Sequence, residues 1–434
     1  MYLAVLRTPH ALRTFSTALV ARLSYGTVSL SLMLAVKDAT GSYAVAGTVA
    51  ALFGATSVFL SPVRAALVDR HGPRRVLAPM VSAYAALLTV LAVVTWRPGT
   101  APAVLGVLAA LAGSCTPPLG PVMRTVWAEL LDGDRESLQR AYSLDGVAEE
   151  LLFVSGPLLV GLIVGIGPAA AGIALSAALI WGGTLAFLAS PAVRGRRAGS
   201  RAGSRAGGKG TGTRRGAWRG LRQPVAAVAG VGLCLGALDL LFVAFAEDAG
   251  RPEAVAWVLA ALSVGSAAGG LLHGGITWRS SARTRLPVLA VGLGATTLVA
   301  GLAPGLLALA VAAACAGVFV APALTTAYLI ADESVAPASR TQAGAWVNTA
   351  VNAGLSGGTA AAGVLVGKVP LAWCFAGAAL APVLGALAGL RSAARAEGGV
   401  GDAALAGGAG EGTGVAVAQR ASGAVAQSSE PSSS

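Results

Sequence analysis

Apolar residues run through this chain in long blocks rather than in alternation. Blocks rich in Ala, Leu, Val and Gly recur near 11–36, 44–68, 76–96, 102–126, 142–166, 168–190, 224–246, 254–276, 286–303, 305–330, 342–366 and 371–390. A helix of roughly 20 residues crosses the hydrocarbon core of a bilayer, so each block predicts one crossing. No segment shows the period-two alternation over about 10 residues that a barrel strand needs. The pattern therefore predicts an all-α integral membrane protein with twelve transmembrane helices.

Between the sixth and seventh blocks the composition changes abruptly at Ser190-Pro191. From Arg194 to Arg222 the chain carries ten basic residues and no acidic one, among Gly, Ser and Ala. That composition reads as a flexible linker, with attraction to anionic lipid headgroups as a further role. After Ser392, Gly, Ala and Ser dominate, which reads as a disordered tail. The predicted organisation is a first six-helix bundle over 1–190, a cytoplasmic linker over 191–222, a second bundle over 223–391 and a cytoplasmic tail over 392–434. Traces of a repeat connect the halves. Gly113, Pro118 and Glu129 recur 204 positions later as Gly317, Pro322 and Glu333, and Gly156 and Gly161 recur 202 positions later as Gly358 and Gly363. Two pseudo-symmetric bundles can rock about a site at their interface, the geometry of alternating access.

Composition agrees with lipid as the solvent. Hydrophobic residues make up 55% of the 434 positions and charged residues 12%, too few polar groups to cover a water-soluble globule of this size. The net charge of +12 would suggest nucleic acid in a soluble chain, but no basic domain with interleaved aromatics lies outside the apolar blocks. With Met1 in the cytoplasm and twelve crossings, only Lys37, Arg97, Arg251 and Lys368 fall in or near outer loops. This asymmetry predicts a cell membrane protein with both termini cytoplasmic. No cleavable signal is evident, so the first helix is expected to stay. Cys115, Cys234, Cys315 and Cys374 stand singly in different helices and read as small packing residues. His10, His71 and His273 are read as lying at different membrane ends, which makes neither a metal site nor a proton relay. No Ser-His-Asp set, metal spacing or phosphate-binding glycine loop suggests an enzyme, a cofactor or an ATP-driven pump. The expected partners are membrane lipids, a small-molecule substrate and protons, with the chain acting as a monomer.

Between helices 2 and 3 the chain reads Ala65-Ala66-Leu67-Val68-Asp69-Arg70-His71-Gly72-Pro73-Arg74-Arg75. This resembles the cytoplasmic signature of the major facilitator superfamily, Gly-x-Leu-x-Asp-Arg-x-Gly-x-Arg-Arg, with Ala65 in place of the opening Gly. Arg22-Leu23, Thr40-Gly41-Ser42-Tyr43, Pro117-Pro118 through Arg124 and Trp127, and Asp145 to Gly161 are similar to a bacterial drug-exporter-like branch of that superfamily, and the likeness extends over roughly residues 11 to 390. The resemblance implies that Asp69 caps or pairs with neighbouring helix ends, that Arg70, Arg74 and Arg75 hold the loop in the cytoplasm, and that Gly72 supplies its turn; topology-setting charge alone is the simpler role for Arg74 and Arg75. It also implies that helices 1 and 5 are neighbours on a central cavity.

A charge at mid-bilayer costs roughly 2.5–3.5 kcal/mol on insertion scales, so it faces a cavity or a partner. Arg22 lies near 16 Å into helix 1, and Glu149 and Glu150 about 11 Å into helix 5. An ion pair of Arg22 with Glu149 or Glu150 is therefore expected; adjacent residues diverge by about 100° on a helix, so which glutamate it is stays open. Asp145 and Glu149, at i and i+4, share a face that either binds a cationic cargo or carries a proton, or else forms a static ion pair. Asp239 in helix 7 is buried by position without a sequence-local partner and is a second candidate for coupling or substrate contact. Ser155-Gly156-Pro157 and Gly161 resemble the Gly-Pro stretch of antiporters, without its usual spacing, and suggest a hinge. Arg124 resembles the proton-linked arginine of helix 4 in exporters, but its place near the cytoplasmic end makes a pairing with Glu129 or Asp69 the plainer expectation. Asn348 and Asn352 share a face of helix 11, open to cargo or to a neighbouring helix. The expected activity is export of small amphipathic molecules by alternating access driven by inward proton flow, with uptake symport of a sugar, amino acid or organic acid as the alternative.

Overall fold

A computed structural model describes residues 2–194 and 211–390, and of 211–219 the backbone alone. Of the expected linker, 195–210 lie outside the described residues, while the backbone of 211–222 is helical and opens the helix Thr211–Asp248 rather than forming a coil; the tail lies wholly outside the described residues. The chain is helical throughout: α1 (Tyr2–Arg7), α2 (Ala11–Thr40), α3 (Tyr43–Phe59), α4 (Ser61–His71), α5 (Pro73–Thr95), α6 (Pro102–Ser114), α7 (Leu119–Leu130), α8 (Arg135–Ile166), α9 (Ala170–Leu188), α10 (Pro191–Arg194), α11 (Thr211–Asp248), α12 (Val255–Gly275), α13 (Ala282–Ala300), α14 (Leu306–Glu333), α15 (Arg340–Leu365) and α16 (Leu371–Leu390).

Each of the twelve apolar blocks falls on a helix or on two helices in series. Among the described residues, nine helical stretches are singly long and apolar enough to cross a membrane, α6 and α7 counting as one, and the pair α3 and α4, bent by 41°, makes a tenth. The two blocks below that mark are α13, whose first turns carry Arg283 and Arg285, and α15, which is studded with Gln342, Asn348, Asn352 and Thr359. Helix starts follow their chemistry. Ser42, Asp134 and Ser281 each accept a backbone N–H bond three residues on, capping α3, α8 and α13. The Ser137 hydroxyl, together with that residue's backbone N–H, holds the exposed Asp134 carboxyl below its usual range. The α4 to α5 connection turns at Gly72, with φ 87°, a conformation that suits glycine.

Helices α2 to α9 pack among themselves, and so do α11 to α16. Small residues at the crossings let backbones touch, which is how helices associate in lipid. The crossings repeat between the two sets. Gly113 of α6 lies on Phe53 and Thr56 of α3, and Gly317 of α14 lies on Leu262 and Ser266 of α12. Gly156 of α8 lies on Gly26 of α2, and Gly358 of α15 lies on Leu233 of α11. Two of the three glycine pairs that recur in the sequence thus occupy corresponding crossings, and Gly161 with Gly363 does not.

The sets meet toward one end. α4 and α7 lie against α15, and the first half of α8 lies against α12. Thr125 and Thr341 hydroxyls are 3.1 Å apart, Gln139 donates to the carbonyl of His273 at 2.7 Å, and Thr349 donates to Val58 at 3.0 Å. Beyond Glu150 one face of α8 is uncovered, with Leu151, Val154, Leu158 and Leu162 all more than half exposed, while Gly156 stays against Gly26 of α2.

Candidate functional site

The seam between α2 and α8 places the charged residues. Gly26 and Gly156 touch through their backbones, and Arg22 stands one helical turn before Gly26. Asp145 and Glu149 lie on the α8 face that two more turns bring to Gly156. The third element is α7. Span four breaks at Thr116-Pro117-Pro118, where two consecutive prolines remove two N–H donors and push the preceding residue out of the helical region. Helix α7 restarts at Leu119, and Arg124, one turn beyond Gly120, reaches the same point.

The result is a four-membered ionic cluster. Arg22 Nη1 lies 2.6 Å from Asp145 Oδ1 and its Nη2 3.0 Å from Glu149 Oε2. Arg124 Nη2 donates to Glu149 Oε2 at 2.7 Å and its Nε lies 3.1 Å from Asp145 Oδ2. Two of the four contacts, Arg22 Nη2 to Glu149 and Arg124 Nε to Asp145 Oδ2, are close but off-axis for hydrogen bonds. Arg22 and Asp145 are 1% and 0% exposed, whereas the Glu149 side chain keeps 30%. The formal charges sum to zero, which is what allows four ions to sit together in a medium where a lone one is costly.

Two contacts tie this cluster to the other set. The Tyr328 ring of α14 covers the Arg124 guanidinium at 3.7 Å, a cation–π contact in a dry setting. Glu150, about 100° round α8 from Glu149, accepts a hydrogen bond from the Ser266 hydroxyl of α12. No ion pair reaches Glu150 among the described residues. Below Arg124 a small cleft lies between the sets, lined in part by Tyr142, Tyr328, Asp332 and Arg340. Its floor holds an Asp332 to Arg340 ion pair of 3.2 Å.

Placement of the expected residues is mixed. Arg22 meets Glu149, and also Asp145, while Glu150 turns to the opposite set. Arg124 does not pair with Glu129 or Asp69 as expected: the break shortens span four and carries Arg124 to the depth of Glu149. Asp239 is not buried; it is an exposed residue of α11. Asn352 spends its amide on the carbonyl of Asn348 at 2.8 Å, and both are half-exposed. Helix α8 runs unbroken through Pro157, and a side chain at Gly161 would meet open space, so only Gly156 makes a close crossing. The three histidines all fall at the end where the sets meet, because helix direction alternates; His273 stacks on Trp278 at 5.1 Å, and no metal-binding group is present among the described residues.

At that same end, Asp69 Oδ2 accepts from the backbone N–H of Gln342 at 2.9 Å. Helix α15 begins at Arg340, and its own N-cap, Ser339, makes no side-chain bond. Asp69 therefore caps a helix of the other set, satisfying a free N–H and meeting the positive end of its dipole. Arg70, Arg74 and Arg75 are exposed. Asp69→Ala should weaken this junction by about 1 kcal/mol, roughly a fivefold shift toward separated sets. Thiol labelling of a Gly344→Cys reporter should accelerate accordingly in the Asp69→Ala background, and an unchanged rate would remove Asp69 from the junction's energetics.

Comparison with known proteins places this arrangement. Residues 14–252 match the family model described as Major Facilitator Superfamily, a narrower stretch than the motifs suggested. No curated protein matches the sequence. Solved structures match most of its length. The human organic anion transporter MFSD10 (TETRAN) aligns with a TM-score of 0.64 and 17% identity over 88% of this chain and 99% of that one. A bacterial homologue of the iron transporter ferroportin, in an outward-facing state, gives 0.65 and 12% over 88% and 99%. The E. coli fucose:proton symporter FucP gives 0.60 and 15% over 88% and 98%. These likenesses are of fold. With a family match across more than half of its residues, the chain belongs to the major facilitator superfamily and is a multi-pass membrane transporter.

Proposed function

We propose that this protein is a proton-coupled antiporter of the cell membrane that exports small amphipathic organic molecules by alternating access. Its two bundles, 1–190 and 223–391, supply twelve crossings; the 191–222 linker and both termini lie in the cytoplasm, and the chain works as a monomer in lipid. The closed end carrying Asp69, Arg70, Gly72, Arg74 and Arg75 is then the cytoplasmic gate, and the half of α8 beyond Glu150 lies toward the outer side. Asp239, Asn348 and Asn352 are assigned to cargo contact. Outward transport is supported by the drug-exporter-like motifs and the Gly156-Pro157 stretch.

The observation that carries the coupling is the division of labour between adjacent glutamates. Glu149 is held by two guanidinium groups within its own bundle, whereas Glu150 has only a neutral hydroxyl, and that hydroxyl belongs to the opposite bundle. A carboxyl so placed can exchange a proton as the bundles part, while Arg22, Arg124, Asp145 and Glu149 keep the neutral core intact.

The test is flux in vesicles of known orientation, with and without a pH gradient. Glu150→Gln should keep expression and downhill flux but lose at least tenfold of the gradient-driven component, while Ser266→Ala should keep it. Gradient-driven export that survives Glu150→Gln would remove Glu150 from coupling, and gradient-driven accumulation in the opposite sense would replace export by uptake symport.

A further inference from the structure

Two spans of the first bundle are interrupted, and one buried arginine stands at both interruptions. Helix α3 ends at Phe59 and the chain bends by 41° into α4; α6 ends at Ser114 and restarts as α7 only after Pro118. Each break leaves a terminal carbonyl without a helical partner inside the membrane, Ser57 at the first and Ser114 at the second, where no water is at hand to satisfy it. Arg64, 5% exposed, donates to both, and also to Thr56 and Gly113, which already accept a backbone N–H. Its Nη1 donates to Gly113 at 2.7 Å, to Ser114 at 2.9 Å and to Thr56 at 3.4 Å, and its Nη2 donates to Ser57. Its charge also faces the negative ends of two helix dipoles, which stands in for the carboxylate partner it lacks. The corresponding spans of the second bundle, α12 and α14, are continuous. At the repeat position of Pro118 the second bundle has Pro322, a single proline inside an unbroken helix.

We propose that Arg64 is a positioning residue, the pin of a hinge that only the first bundle possesses. The gate end opens by α4 and α7 tilting at this plane, beneath α3 and α6 that stay put, while α12 and α14 move without bending. Both tilting half-helices face α15 of the opposite bundle, so the bend lies directly behind the gate. This rests on the reading of that end as a gate, and the test separates the two.

Spin labels in a full-length chain cleared of native cysteines report the geometry. One pair, at Tyr43→Cys and His71→Cys, spans the α3 to α4 bend; a second, at Glu253→Cys and Thr277→Cys, spans the unbroken α12; a third, at Asp132→Cys and Ala336→Cys, spans the two bundles. Ser143→Trp serves as a wedge, since Ser143 of α8 is buried where Gly274 of α12 meets it. With the wedge, the third distance should lengthen, the first should shift and the second should hold. Arg64→Met should broaden the first distribution even without the wedge, and Arg64→Lys, a point charge without the planar fork, should broaden it less. A lengthened third distance with the first unchanged, or with both spans bending equally, overturns the hinge while leaving the gate. A third distance that does not respond to the wedge overturns the gate itself. If Arg64→Met fails to fold, the wedge comparison with Arg64 in place still decides the matter.

Discussion

Arg22→Ala should destabilise the protein by about 3–5 kcal/mol, seen as a large loss of monodisperse protein after extraction and a lower midpoint of thermal unfolding in detergent. Arg22 is 1% exposed and touches two carboxylates; without it, Asp145 and Glu149 share one guanidinium and a net negative charge stays buried. Removing the pair together is a different matter. Arg22→Met with Asp145→Leu leaves Arg124 and Glu149 as a neutral couple, so the double variant should be more stable than Arg22→Met or Asp145→Leu alone. Such non-additivity is the mark of direct coupling. A double variant no better than the sum of its singles would show that the four charges do not act as a unit.

Gly156→Leu should have the next largest effect, about 3 kcal/mol or more, because overpacking here pushes on backbone rather than on a movable side chain. A Cβ at residue 156 would lie 2.6 Å from Gly26 Cα, so α2 and α8 must separate, and Arg22 then loses its reach to Glu149. Gly161→Leu, one turn further along α8, meets nothing within 4 Å and should fold normally. Comparing yield and thermal midpoint for the two variants checks the seam, and equal behaviour would refute it.

Much of this was legible in the sequence, for physical reasons that differ by residue. The apolar blocks mark the helices because lipid leaves backbone polar groups no other partner. Glycine recurrence at near-constant offset marked the crossings because only small residues let helices touch. The meeting of Arg22 with Glu149 was accessible from depth and from the helix neighbours that the family implies. Its second partner, Asp145, was not, because spacing puts Asp145 and Glu149 on one face without fixing how α8 is rotated about its axis. Depth itself was misjudged for α8, which starts at Arg135 rather than near 142, and for Arg124, whose span was read as one straight helix. The prolines at 117 and 118 were the available signal. Arg64 carried a signal too, a lone cation among apolar residues beside Ser61-Pro62, but its partners are carbonyls, which every residue has. Tyr328 and Ser266 are ordinary residues made significant only by the facing bundle.

Because the four charges of the cluster cancel and belong to one bundle, their movement during the cycle transfers no net charge through the electric field of the membrane. On the proposed mechanism, Glu150, Asp239 and the hinge residue Arg64 are the charges outside the cluster that can make the carrier sense voltage, at about 2.3 kcal/mol per unit charge carried through 100 mV. On that mechanism the current accompanying transport follows the occupancy of Glu150 and Asp239 and any movement of Arg64, and the cluster's two arginines, for all their charge, are electrically silent.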